Sequence, residues 1–151
     1  MRTRLLILAV ATGLMAAPAL ARDDSTPPMP AESLEQTRPR TDAFFQTLRA
    51  GDPAKAYRDL FAGTLLETTK AAEVNTLITQ TQTLLDVYGT LVGWTVMRSD
   101  CLSPTLCRIG YQVDMKNGPM FVFLLMHRRA GEWYPHWIYV TDIAQPLFEV
   151  D

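Results

Sequence analysis

The amino-acid sequence predicts an α+β domain in which N-terminal helices pack on a four-stranded antiparallel sheet, and three observations carry that reading. Between residues 41 and 88, apolar side chains recur at the i, i+3, i+4 spacing of a helix face. From Thr90 to Thr141 the period drops to two, and β-branched and aromatic residues dominate. The two patterns are segregated along the chain, which excludes the alternating order of a parallel α/β sheet. At 151 residues there is room for one core and no second. A hydrophobic fraction of 48% is too high for a disordered chain. The net charge of −2 argues against a nucleic-acid binder, which needs a basic excess to neutralise phosphates.

Residues 1–21 read as a signal peptide. Arg2 and Arg4 form a basic start, the run Leu5–Ala17 carries no charge, and Ala19-Leu20-Ala21 is the small-x-small pattern that signal peptidase recognises. The uncharged run falls short of the roughly 20 residues a membrane-spanning helix needs. No cysteine lies near the junction for lipid attachment. Cleavage after Ala21 is therefore expected, with export to the periplasm and no membrane span afterwards. The segment holds two bases and no acid, so its loss leaves 12 basic against 16 acidic residues, a net −4.

Residues 22–40 contain Pro27, Pro28, Pro30 and Pro39 among polar residues and read as a flexible leader. Pro39 is expected to end any short helix begun near Ser33. The domain proper is placed at residues 41–151. Thr41 or Asp42 caps a helix over Ala43–Ala50 whose buried stripe is Phe44, Phe45 and Leu48. Gly51 closes it. Asp52-Pro53 opens a second helix, with Asp as cap and Pro at the first position, and Ala56, Tyr57, Leu60 and Phe61 as its stripe. Gly63 interrupts, and Leu65-Leu66 fit a kinked continuation. The third helix, Ala71–Tyr88, carries Val74, Leu77, Ile78, Thr81, Leu84, Leu85 and Tyr88 along one face before Gly89 caps it.

Strands follow over Thr90–Asp100, Leu106–Lys116, Pro119–Arg128 and Glu132–Thr141. Asn117-Gly118 and Ala130-Gly131 read as two-residue turns. In the second strand Cys107, Ile109, Tyr111, Val113 and Met115 alternate with Arg108, Gly110, Gln112 and Asp114. Pro135 cannot donate to a ladder, so it marks an edge strand or a bulge.

The opening Phe44-Phe45…Leu48…Gly51-Asp52…Ala56-Tyr57, the long helix ending in Tyr88-Gly89, and the late Gly131-Glu132-Trp133 resemble nuclear transport factor 2-like domains, in particular their small exported bacterial members. The resemblance spans Asp42–Asp142 and rests on structural residues, none of them catalytic. It implies a curved sheet wrapped around a long helix, often with a pocket between them, and often a dimer through the sheet. The chain departs from the pattern in lacking a clear short hairpin between the second and third helices, which implies a shallow pocket.

Few residues point to chemistry. Cys101 and Cys107 are close in sequence and, in an exported protein, are expected to form a disulfide. A redox-active pair would favour Cys-x-x-Cys at a helix start, a spacing absent here. With Ala130-Gly131 at the turn centre, Arg129 pairs with Glu132, His127 with Tyr134 and Leu125 with His136. His127 and His136 then share a face within side-chain reach, where they could bind a metal, act as an acid–base pair, or be merely solvated. Two histidines lack a third zinc ligand, and a one-residue slip in register would separate them. Ketosteroid isomerases, which the chain distantly resembles, set an Asp base against a Tyr or acid donor. Tyr57, Tyr111, Asp86 and Asp114 are available by type, but no catalytic motif matches. Arg128-Arg129 reads as a solvated turn that could attract an anionic partner but is too small for nucleic acid.

The strongest functional signal lies in the last two strands. On the register above, Phe121, Phe123, Leu125, Ile138 and Val140 share one face, and Met120, Val122, Leu124, Met126, Trp137 and Tyr139 the other. A sheet with one wet face alternates apolar with polar; this pair does not. The helices cover one face, and curvature, a second subunit, a protein partner or a small apolar ligand covers the other. The expected function is therefore that of an exported, non-catalytic domain, without cofactor or metal, acting by homodimerisation, partner binding or ligand binding. Its candidate residues are Tyr57, Trp94, Tyr111, Phe121, Phe123, His127, His136, Trp137 and Tyr139. The alternative is a small pocket enzyme, an isomerase or hydrolase, using Tyr57, Asp114 or His127 and His136.

Overall fold

In the computed structural model, residues 26–143 are described, and four helices precede four strands. The signal-peptide reading of residues 1–21 and the end of the domain after Ile143 lie outside the described residues. The helices are α1 (Ala31–Arg49), α2 (Pro53–Phe61), the short α3 (Leu65–Thr69) and α4 (Ala71–Tyr88). The strands β1 (Leu91–Ser103), β2 (Leu106–Met115), β3 (Gly118–Arg129) and β4 (Glu132–Thr141) form an antiparallel meander in that order. The α+β expectation is met, with helices and strands segregated as the change of period required. Among the described residues, no helix is long and apolar enough to cross a membrane.

The core is built where α1 and α2 meet the inner face of the sheet. Phe44, Phe45 and Leu48 from α1 and Tyr57, Leu60 and Phe61 from α2 join Ile109, Tyr111, Val113, Met120, Val122, Leu124, Met126 and Ile138. Edge-to-face contacts lock the aromatic centre, with Phe44 and Tyr57 at 5.2 Å and Phe45 and Tyr111 at 4.9 Å. The Asp52 side chain accepts from the Lys55 N–H at 2.8 Å, with Pro53 at the first helical position, so α2 starts as its sequence dictates. By contrast, α4 buries only Thr81 completely, and its apolar stripe is half-buried.

Three expectations are corrected. The first concerns the leader, whose residues 31–40 form the first half of α1. Pro39 sits inside that helix. Its missing N–H leaves the Glu35 carbonyl without an intrahelical partner, but both residues are exposed and water can take the bond. The opposite face carries Thr37 and Thr41, both buried, whose hydroxyls donate back to the Leu34 and Thr37 carbonyls at 2.7 and 3.2 Å. Residues 27–29 are ordered as well. The Pro27 carbonyl accepts from Cys101 N–H at 2.9 Å, and Met29 N–H donates to the Ser99 carbonyl at 3.1 Å. This adds a short run to the edge of β1, with the prolines where only carbonyls are needed.

The second correction is the β2–β3 turn. Met115 pairs with Gly118, so Lys116-Asn117 is its centre, one residue earlier than expected. Both turn amides are claimed by the end of the long helix and its exit, Lys116 N–H by the Thr90 carbonyl and Asn117 N–H by the Tyr88 carbonyl, each at 2.9 Å. Gly118 is needed for close approach, since a Cβ there would lie 3.2 Å from the Tyr88 ring.

The third correction changes which residues face outward. From Arg129–Glu132 to Met126–Pro135 the β3–β4 register is the expected one, but Leu125 then pairs with Trp137 and Phe123 with Tyr139. His136 is the extra residue of a β-bulge. Its insertion turns Ile138 and Val140 to the inner face with Val122 and Leu124, and Trp137 and Tyr139 to the outer face with Phe123 and Leu125. Pro135 lies beside the bulge on an edge strand, so the reading of that proline holds.

Candidate functional site

The bulge assembles an aromatic surface on the outer face of β3 and β4. Trp137 and Tyr139 remain 51% and 43% exposed. Their rings stack at 5.8 Å with an interplanar angle of 8°, and Phe123 continues the row 6.4 Å from Tyr139. Phe123 can reach across β2 because Gly110 stands opposite; a Cβ at that position would meet its ring at 3.1 Å. Phe121, at the end of the row, is buried.

Toward the β3–β4 turn this surface runs into a cavity of about 720 Å³. One wall is the short helix and its approach, with Thr64, Leu65, Leu66, Thr69 and Lys70; the other is Leu125, His127, Arg129, Tyr134, Pro135, His136 and Trp137. A second cavity of about 320 Å³ adjoins it between α4 and β4 and shares Leu66, Lys70, His136 and Trp137 with it. The turn end is tied to the end of α2 by two arginines. Arg129 donates to the Gly63 carbonyl at 3.2 Å, and its guanidinium lies 4.7 Å from the Tyr134 ring centre. Arg40 lies 5.0 Å from the same ring and donates to the Leu60 and Ala62 carbonyls at the end of α2.

The sequence-derived candidates separate into three groups. His127, His136 and Trp137 line the cavity, and Phe123 and Tyr139 belong to the surface leading to it. The pairing of Leu125 with His136 is corrected, because the bulge takes His136 out of the ladder; both histidines nevertheless reach the cavity wall. Tyr57 and Tyr111 are core residues. The Tyr57 hydroxyl shares a 2.8 Å hydrogen bond with Thr81, and burial pushes its pKa upward against the opposing effect of that bond. Burial likewise raises the pKa of Tyr111, which donates to the Thr41 hydroxyl at 3.2 Å. Trp94 is a packing residue, stacked on Phe45 at 5.3 Å and donating from Nε1 to Asp42 at 2.9 Å.

The acid–base partners named for an enzyme do not converge. Asp114 is exposed beside the β2–β3 turn, where it accepts from Gln112 at 2.8 Å, while His127 stands opposite Leu106 at the other end of the sheet. Tyr57 is sealed in the core. Among the described residues, no three His, Cys, Asp or Glu side chains are grouped to hold a metal. Cys101 and Cys107 form a disulfide of 2.05 Å across directly paired positions of β1 and β2, as their proximity predicted. Nearby, buried Asp100 is held by Arg108 through bonds of 3.1 and 2.7 Å and by Arg98 at 2.8 Å.

Sequence reasoning missed the helical wall of the cavity. Leu65 and Leu66 looked like a helix continuation, and Lys70 was not singled out. The available signal was Gly63, which breaks the helix and lets Leu66 pack against the core while Leu65, on the cavity wall, stays exposed. Comparison of the chain with protein-family models, with curated proteins and with solved structures found no significant match.

Proposed function

We propose that this chain is an exported, non-catalytic binding domain of the nuclear transport factor 2-like kind that holds a small, largely apolar ligand against the outer face of β3 and β4. The observation that carries this reading is the cavity of about 720 Å³, walled by Leu65, Leu66, Leu125, Pro135 and Trp137 and continuous with an exposed aromatic row. Its volume falls within the range of small-molecule sites, and apolar walls with a few polar groups are the usual composition of such sites. The disulfide supports the exported reading, since such bonds persist in oxidising compartments. Titration of the oxidised protein with 1-octanol, followed by calorimetry, tests it. Saturable binding is expected, weakened about ten-fold by Trp137→Ala, which removes one apolar wall; absence of saturable binding of 1-octanol and of its charged analogues of the same chain length refutes it.

A second reading, self-association through the same face, draws on Trp137 and Tyr139, whose stacked rings extend exposed apolar surface beyond the cavity. Light scattering separates the two. A dimer that Tyr139→Glu converts to a monomer favours self-association, and a monomer at all concentrations removes it.

A further inference from the structure

The cavity wall carries Lys70, His127, Arg129 and His136 and no carboxylate. In a chain with net charge −2, that concentration of bases is not inherited from the overall composition. Among the described residues, none of the four forms an ion pair; the ion pairs are Arg38–Glu35, Lys55–Asp59 and the Asp100 cluster. Two carboxylates stand just outside the wall, each bound to a partner of Arg129 and each keeping its charge. Glu67 accepts from the Gly63 N–H at 2.9 Å, and Glu132 accepts from the Tyr134 hydroxyl. Glu73 is on the wall of the adjoining cavity, which shares Lys70.

Arg129 is also oriented without forming an ion pair, even to Glu132, its partner across the ladder. A carbonyl and an aromatic face hold it, which leaves donors of its guanidinium unspent. A side chain already oriented by such contacts gives up less rotamer freedom when it binds an anion. Arg40 on the same ring adds to the positive potential.

Resting on the ligand-binding reading above, we infer that the cavity selects a small amphipathic organic anion, a monocarboxylate with an apolar tail. The head is held by Lys70 and Arg129, and the tail lies against Leu65, Leu66, Leu125 and Trp137. Two cations facing one carboxylate discriminate by charge, and the apolar wall excludes inorganic anions, which have nothing to bury there. The site lies at the β4 edge of the sheet, where α3 meets side chains of the outer face.

Three soluble probes of one chain length test this by calorimetry at low salt: octanoate, 1-octanol and octyltrimethylammonium. Octanoate is expected to bind about ten-fold more tightly than 1-octanol, the cation more weakly than either, and the octanoate preference to shrink as salt screens the charges. Lys70→Gln, at an exposed position whose loss does not threaten the fold, is expected to reduce that preference about three-fold, and K70Q/R129Q to bring the two affinities together. Equal affinity for octanoate and 1-octanol in the native chain, or tighter binding of the cation, overturns the inference and leaves the ligand reading standing. Binding of none of the three overturns both.

Discussion

Deleting His136 is the sharpest test of how this sheet presents its working face. The deletion removes the bulge residue, and with a period of two, one side of the former bulge must then reverse its faces. If the C-terminal half of β4 reverses, Ile138 leaves the core and half-buried Val140 follows, while Trp137 and Tyr139 are driven inward. Re-exposing a buried Ile and half a Val costs about 3 kcal/mol, before any strain from forcing two larger rings into their places. If the N-terminal half reverses instead, the buried Trp133 and Pro135 turn outward and the Arg129–Tyr134 stack is lost, a penalty of similar size. Both routes reach about 3 kcal/mol, a large share of the roughly 5–15 kcal/mol that holds a domain together.

The matched control is His136→Ala, which keeps the residue count and therefore the bulge. His136 is exposed, and its truncation is expected to change stability by no more than about 0.5 kcal/mol. Urea unfolding followed by far-UV circular dichroism measures both variants, and acrylamide quenching reports whether Trp137 has become shielded. A deletion variant within about 0.5 kcal/mol of His136→Ala refutes the assignment of faces, because no reversal of β4 at that cost is compatible with the packing described.

Three further outcomes are expected. Replacing Cys101 and Cys107 with serine removes a seven-residue closed loop and should lower stability by about 2.4 kcal/mol on the chain-entropy model, measured against the oxidised native protein in urea. Burial alone would raise the pKa of Asp100, but the hydrogen bonds and charge of Arg108, with the charge of Arg98, outweigh it and hold the carboxyl below its ordinary value. Its contribution is therefore present above the unfolded-state pKa and is lost as pH falls through the lower folded one. Asp100→Asn should cost about 1–2 kcal/mol at neutral pH, the exposure of both arginines moderating the figure, and should flatten that acid-side loss in pH-dependent denaturation. Pro39→Ala restores the amide that can bond the Glu35 carbonyl on an exposed helix face and should raise the melting temperature by the equivalent of about 1–2 kcal/mol; a lower melting temperature would show that the proline is favourable where it stands.

How much of this was legible in the sequence depends on whether a residue's type matched its role. Helix α2, the long helix and the four strands were legible because apolar residues stand where the core needs them and Asp52, Pro53, Gly51 and Gly89 punctuate them. The first half of α1 was hidden because its buried positions are Thr37 and Thr41, whose hydroxyls are satisfied by the preceding turn, so the helix stripe continues in residues that do not score as apolar. Prolines were read as markers of disorder, yet Pro27 and Pro28 run along the edge of β1, where a missing N–H costs nothing. In the candidate site, the two histidines and Trp137 were found by type. Leu65, Leu66 and Lys70 were not, since only the packing of a five-residue helix brings them to the sheet.

The bulge connects these observations. A sequence that is apolar on both faces of β3 and β4 does not reveal which face is buried, because either register satisfies the alternation. The turn alone selects a register in which Trp137 and Tyr139 would enter the core opposite helices already filled by Phe44, Phe45, Tyr57 and Phe61. One extra residue beside Pro135 resolves the conflict by admitting the smaller Ile138 and Val140 and putting the two aromatic rings outside. The same irregularity blunts the exposed edge of β4 against pairing with another chain. It also leaves His136 and Trp137 on the cavity wall with Lys70 and Arg129. Past the bulge, the apolar surplus evident in the sequence is therefore sorted by size: Ile138 and Val140 stay inside, and the rings of Trp137 and Tyr139 form the surface on which binding is proposed.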